Sequence, residues 1–364
     1  MKVLQIINSL DAGGAEKLLL ETIPLYNKKG IKMDILVLNG NDYPFMKELK
    51  LTNSCAVFSL GNGSVYNPLH IFKIIPYLKK YEIVHVHLFP AQYWAVLAKW
   101  ISFSKAKLIF TEHNTHNRRM SNPVFKICDK IIYSGYKKVV CITSEVKRIL
   151  ENHLGKSGDK FPIIENGVNL KNIKDAVSYE KTAILPVITE DDKLLIQVSA
   201  FREQKDQVTL IKSLKHLPEK VKLILVGDGA LRNDCENLVK ELQLENRIFF
   251  LGLRMDVLSL LKTADIVVLS SKYEGLSLSS MEGMASGKPF IASDVPGLHE
   301  VVQNAGILFP QGDEKALSKE ILALLENPTY YETTVQKCLE RSEEYDIVKM
   351  VDKHIQLYNS ILKK

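Results

Sequence analysis

Two glutamates eight residues apart stand in the run Tyr273-Glu274-Gly275-Leu276-Ser277-Leu278-Ser279-Ser280-Met281-Glu282-Gly283-Met284-Ala285-Ser286-Gly287-Lys288-Pro289. The run follows an apolar segment ending near Leu269. Gly275 permits a turn, and the amides of Gly275, Leu276, Ser277, Leu278 and Ser279 would open the helix carrying Glu282, a natural seat for phosphate oxygens. Carboxylates only accept hydrogen bonds, so Glu274 and Glu282 suit hydroxyl groups, and a nucleotide sugar offers two such sets, on the ribose and on the sugar ring. The same spacing also permits a structural role, with Ser279-x-x-Glu282 as a capping box at the helix start.

A second constellation, Ser199-Ala200-Phe201-Arg202-Glu203-Gln204-Lys205-Asp206, also follows an apolar run and precedes a helical one. Arg202 offers a fork and Lys205 a point charge to a diphosphate, although a surface pair of cations has the same spacing. His85 and His87 are at strand spacing, and Glu112-His113-Asn114-Thr115-His116 follows the next apolar run. No cysteine or carboxylate cluster with ligand spacing accompanies them, so hydrogen bonding to a sugar hydroxyl or a leaving phosphate is favoured over metal ligation, with at least one of the histidines purely structural. Gly13-Gly14 lies between an opening strand and a helical run over 17–26, where close backbone approach to a phosphate is possible. It lacks the spacing of a dinucleotide site. No two aspartates are two residues apart, so metal-independent chemistry is favoured, and no phosphate-binding P-loop, G-x-S-x-G elbow or Cys/His pair is present.

These residues need strand ends to position them. Short apolar runs alternate with longer amphipathic stretches, which predicts parallel sheets, with strands near 2–8, 32–38, 82–87, 107–110 and 138–142 and again at 194–199, 223–226, 248–251, 266–269 and 289–292. Residues 169–191 lose the pattern and read as an interdomain connection. Ligands in open parallel sheets bind at the carboxyl ends of strands, which is where all four constellations fall.

A chain of 364 residues, 46% hydrophobic and 25% charged, suits two globular α/β domains. With no apolar run long enough to span a bilayer, no signal-peptide start, and five scattered cysteines, it reads as cytoplasmic with reduced thiols. Up to residue 165 there are 23 Lys and Arg against 13 Asp and Glu; beyond it, 25 against 29. With no nucleic-acid-binding motif, the basic half is read as facing an anionic membrane surface rather than nucleic acid, a dispersed charge excess being the bland alternative.

Taken in order, the segments resemble the family 4 glycosyltransferases almost end to end. The strongest likeness is the E-x7-E element from Glu274 to Glu282 with its continuation through Asp294-Val295-Pro296-Gly297-Leu298-His299-Glu300. Val226-Gly227-Asp228-Gly229, Leu251-Gly252-Leu253-Arg254, Ala305-Gly306-Ile307-Leu308-Phe309, Asn166-Gly167-Val168 and Thr111-Glu112-His113-Asn114 add to it. The resemblance implies a GT-B fold: two Rossmann-like domains facing across a cleft, 1–168 binding the acceptor and 169–344 the donor, with 345–364 crossing back to the first.

It further implies a retaining hexosyltransferase, with a UDP-sugar favoured as donor and a lipid-linked or polysaccharide acceptor of the capsule or O-antigen type. No cofactor is implied. Glu274 would contact the transferred sugar, Glu282 the ribose, the amides of Gly275, Leu276, Ser277 and Leu278 the phosphates, Lys205 the diphosphate, His113 the donor sugar, and Gly13-Gly14 the phosphates. Leu253 and Arg254 would border the base. The family often has Arg five residues before this lysine, where this chain has Ala200, and Arg202 is the candidate replacement. A nucleotide-sugar epimerase of the same architecture and a non-catalytic nucleotide-sugar-binding module are the rival readings.

Overall fold

In the computed structural model, which describes residues 1–113 and 122–363, the chain divides into two compact units. Unit 1 is Met1–Gly167 with Ile347–Lys364, and unit 2 is Val168–Asp346. Each is built round one parallel sheet of six strands among the described residues.

In unit 1, β1 (Lys2–Ile7), β2 (Lys32–Val37), β3 (Val57–Ser59), β4 (Ile83–His87), β5 (Lys107–Glu112) and β6 (Lys138–Cys141) lie in the order β3-β2-β1-β4-β5-β6. In unit 2, β7 (Lys193–Val198), β8 (Val221–Val226), β9 (Ile248–Gly252), β10 (Ile266–Leu269), β11 (Phe290–Ser293) and β12 (Ile307–Phe309) lie in the order β12-β11-β10-β7-β8-β9. Numbered from its own first strand, unit 2 repeats the order of unit 1. Both are doubly wound, and the winding reverses between β1 and β4 and between β7 and β10.

The central strands are apolar along nearly their whole length because helices cover both faces. Every residue of β4 is buried, as is every residue of β10. Leu195, Leu223, Val268 and Ile291 of the second sheet pack with Leu210, Leu317 and Ile321 from helices beside it. One polar position interrupts β1: Gln5 is buried and lies in register with His85, as His87 does with Thr111.

Two strands escape the apolar-run criterion. β3 and β12 are three-residue edge strands, and β3 is only partly buried, so neither yields a run long enough to stand out. The stretch 169–191 holds helices Leu170–Asp175 and Lys181–Ile184, and is fastened to unit 2 by Lys181, whose Nζ donates to Asp265 Oδ2 at 2.9 Å and Asp192 O at 2.7 Å. The two chain crossings lie side by side, with Val168 N donating to Tyr345 O at 2.8 Å.

Candidate active site

In unit 2 the loops after β7 and β10 diverge at the sheet's switch point, and hydrogen bonds stitch them together. Ser270 Oγ lies 2.9 Å from Gln197 Oε1 and 2.8 Å from Asp206 O. Lys272 N donates to Gln204 O at 2.7 Å, and Gln204 Nε2 to Tyr273 O at 2.9 Å. Across this seam Lys205 Nζ meets Glu274 Oε1 at 2.6 Å, with Ser271 Oγ donating to the same oxygen at 2.6 Å. Glu274 is 5% exposed, and its Oε2 accepts from no described residue. A buried carboxylate thus has one saturated oxygen and one left for an outside hydroxyl.

The peptide after Glu274 is set by Gly297. Glu274 N donates to Pro296 O, and Gly297 has φ +84° with its α-carbon so close that an added Cβ would lie 2.6 Å from Gly275 O and nearer still to Glu274 O. Only glycine fits there. Gly227, at φ +134°, abuts Ser199 O in the same way and props the loop that delivers Lys205.

Helix Leu278–Ala285 then begins, capped by Ser277, whose Oγ accepts from Ser280 N at 3.4 Å. This corrects the capping box expected at Ser279-x-x-Glu282: the helix starts earlier, so Ser279 is already helical. The amides of Gly275, Ser277, Leu278 and Ser279 donate to no acceptor among the described residues, and Glu282 is buried on the helix they open. Arg202 is exposed at the start of the short turn that ends in Lys205, with no side-chain partner among the described residues. Leu253 is exposed and Arg254 forks onto Asp256 at 2.8 and 2.5 Å, beyond the end of β9. β9 is two strands from β7, about 10 Å by sheet spacing. That guanidinium is committed within the chain, and its hydrogen bonds hold the Asp256 carboxyl below its ordinary range.

In unit 1 the switch point is tied by Asn8, whose Nδ2 donates to Phe89 O at 2.8 Å and whose Oδ1 accepts from Ala91 N at 3.2 Å. The helix expected over 17–26 begins earlier, at Gly14, with Gly13 as its extended cap. The Glu16 carboxylate overlies Gly13, occupying the space a Cβ would need. An acidic side chain therefore already complements this helix start.

Beneath the ends of β4 and β5 four histidines meet. His85 Nδ1 contacts Tyr358 Oη and its Nε2 Thr111 Oγ1, both at 2.7 Å, so both its nitrogens are used structurally. His87 Nε2 lies 2.8 Å from Gln5 Oε1, and its Nδ1 3.0 Å from His113 Nε2. His354 Nδ1 bonds Met350 O at 3.1 Å, while its buried Nε2 has no partner among the described residues. A small cavity of about 30 Å³, lined by Gln5, His87, His113, Asn166 and His354 among others, adjoins them. It is large enough for a water molecule. Burial pushes the His113 and His354 rings down to about 4 and holds His85 and His87 well below the ordinary value, with the neighbouring histidines adding to it for all but His354. The cluster is neutral. His116 and Asn114 lie outside the described residues. Sequence reasoning missed Gln5, Tyr358 and His354; a buried amide in an otherwise apolar strand was the available signal for the first.

The family model described as Glycosyltransferase Family 4 matches residues 12–172, and that of Glycosyl transferases group 1 matches residues 182–341. The chain belongs to the family 4 glycosyltransferases. Among the relatives of this glycosyltransferase is the UDP-Gal:alpha-D-GlcNAc-diphosphoundecaprenol alpha-1,3-galactosyltransferase of Escherichia coli, 26% identical over 77% of this chain and 76% of that one. The N-acetyl-alpha-D-glucosaminyl L-malate synthase of Bacillus anthracis is 28% identical over 78% of this chain and 75% of its own. The crystal structure of HepE from Anabaena in complex with UDP and glucose covers 99% of this chain and 100% of its own with a TM-score of 0.84 at 20% identity. Sucrose-phosphate synthase from Thermosynechococcus elongatus gives 0.78 over 100% and 99% at 20% identity. The glycosyltransferase has the GT-B fold of these structures.

Proposed function

We propose that this glycosyltransferase moves a hexose-type sugar from a UDP-sugar to a lipid-linked or polysaccharide acceptor, with retention of anomeric configuration and without a divalent metal. The observation that carries this reading is the Lys205–Glu274 pair beside the unpaired amides of Gly275, Ser277, Leu278 and Ser279. A cation and a row of N–H donors suit a diphosphate leaving group, and the free Glu274 oxygen suits a sugar hydroxyl. Glu282 takes the ribose, Leu276 belongs to the phosphate loop, and Arg202, without a side-chain partner among the described residues, adds charge where Ala200 supplies none. His113 is assigned to the sugar and Gly13-Gly14 to the phosphates of the same donor.

In the reaction the bond from the anomeric carbon to the diphosphate breaks while the acceptor oxygen bonds to that carbon on the same face. The acceptor's proton passes to the departing phosphate oxygen, so no protein base is needed. The names of the E. coli relative and of the HepE complex support UDP and a diphospholipid acceptor. Placement on the inner face of the cell membrane is part of the proposal.

The test is a panel of UDP-, GDP- and ADP-sugars screened by thermal shift, followed by nucleoside-diphosphate release in the presence of chelator. Stabilisation by UDP-sugars that disappears in Glu282→Ala is expected. Stabilisation by another nucleotide alone would overturn the donor assignment. An altered sugar nucleotide formed without any acceptor would favour an epimerase.

A further inference from the structure

The histidine chain in unit 1 dictates where its own protons lie. Met33 Sδ cannot donate, so the group 3.1 Å from it is the Gln5 amide nitrogen, and Gln5 Oε1 is the atom facing His87 Nε2. A carbonyl oxygen only accepts, so His87 carries its proton on Nε2 and leaves Nδ1 as a lone pair. His113 Nε2, 3.0 Å from that lone pair, must donate to it. A neutral ring has one proton, so His113 Nδ1 is bare, and it has no partner among the described residues.

We propose that Gln5 and His87 are positioning residues that hold His113 in the Nε2–H tautomer, so that its Nδ1 accepts a hydrogen bond from a hydroxyl of the transferred sugar. This rests on the reading of His113 as a sugar contact. Without the chain, His113 could carry its proton on either nitrogen, and half of its tautomers would turn an N–H toward a hydroxyl oxygen instead of an acceptor toward its proton. The same logic bars His113 from serving as a proton donor through Nδ1. The neighbouring chain obeys the same rule separately: Tyr358 Oη and Thr111 Oγ1 occupy both nitrogens of His85, which therefore does not compete for His113.

The experiment reads the tautomer directly by nitrogen-15 chemical shifts of the ligand-free protein near neutral pH, with His113 assigned by its loss in His113→Gln. A protonated Nε2 and an unprotonated Nδ1 are expected; a proton on Nδ1, an even mixture or an imidazolium overturns the proposal. Gln5→Met keeps the side-chain length and removes the acceptor, and should give mixed tautomers. It should also lower kcat/KM about tenfold, the worth of one hydrogen bond, with whichever of UDP-glucose, UDP-galactose and UDP-N-acetylglucosamine the wild type consumes. A fixed tautomer in Gln5→Met removes Gln5 from the role, and mixed tautomers with undiminished kcat/KM sever the link to the sugar. His87→Phe, which keeps a ring but offers His113 no acceptor, replaces Gln5→Met should that variant not fold. If the wild type consumes no sugar nucleotide, the functional reading fails and with it the link to the sugar, while the shifts still decide whether Gln5 and His87 set the tautomer.

Discussion

Lys205 Nζ and Glu274 Oε1 are 2.6 Å apart, with Lys205 19% and Glu274 5% exposed at the side chain, so in the ligand-free protein the two principal candidates for the chemistry satisfy one another. The carboxylate is thereby held in place before any donor arrives, and the ammonium is held at the loop seam. Glu274→Ala should abolish transfer, and Lys205→Met should lower turnover by on the order of 10²–10³. Because the pair acts as a unit, the double variant Lys205→Met/Glu274→Gln should lose much less than the separate losses of Lys205→Met and Glu274→Gln combined. Additive losses in nucleoside-diphosphate release would show that the two groups act separately.

Gly297 offers a test of the loop without touching a proposed contact. Gly297→Ala must push the Glu274-Gly275 peptide aside, and should cost about 1–3 kcal/mol in urea unfolding and abolish donor-induced stabilisation. Gly287, at φ +79° with open space around it, is the control. Gly287→Ala should cost about 1 kcal/mol from backbone strain and leave the donor shift intact. Equal donor shifts in the two variants would refute the positioning role of Gly297.

The buried histidines predict a dependence on pH. Burial lowers the folded-state pKa of His354 to about 4, below its unfolded value near 6.5. The unfolded chain therefore binds protons first, and stability, full above the unfolded value, falls as pH drops from about 6.5 toward 4. The loss at this one residue approaches about 3 kcal/mol at the lower end, since each unit is worth about 1.4 kcal/mol. His354→Leu should flatten the slope of unfolding free energy against pH over that window. An unchanged slope would mean that the ring is already charged in the native protein.

Unit 1 exposes apolar side chains beside lysines. Val124, Ile127 and Ile131 recur along one exposed strip of helix Pro123–Ser134, interleaved with exposed Lys126 and Lys130. Phe72, on helix His70–Leu78, is 60% exposed. Apolar residues ringed by cations suit the surface of an anionic bilayer. Sedimentation with phosphatidylglycerol-containing vesicles should capture the protein, less so at high salt, and Ile127→Glu should cut binding several-fold. Equal capture by neutral vesicles would rule out the charge contribution.

Much of this architecture is written in local pattern. Central strands such as β4 and β10 are continuous apolar runs because they are covered on both faces, and the loops after them carry Lys205, Glu274 and His113 where parallel-sheet logic places them. What was not legible is whatever depends on a short offset along the chain or on distant sequence. Ser277 rather than Ser279 caps the helix because the chain turns two residues earlier than the capping-box spacing suggests. Glu16 complements the first helix start through a side-chain position that spacing alone does not give. Short edge strands bury too little to show. The contact of His85 with Tyr358 joins residues 273 positions apart, and no motif announces it.

That last contact bears on how the protein is made. The larger part of unit 1 precedes unit 2 in the sequence and is translated before it, yet helix Ile347–Leu362 supplies Met350, His354 and Tyr358 to its interior. Unit 2 is one uninterrupted stretch and can fold as soon as it is synthesised. The segment before unit 2 must wait with Leu18, Tyr26 and the histidine face uncovered while about 180 further residues are translated, which leaves that surface open to non-native contacts during the interval.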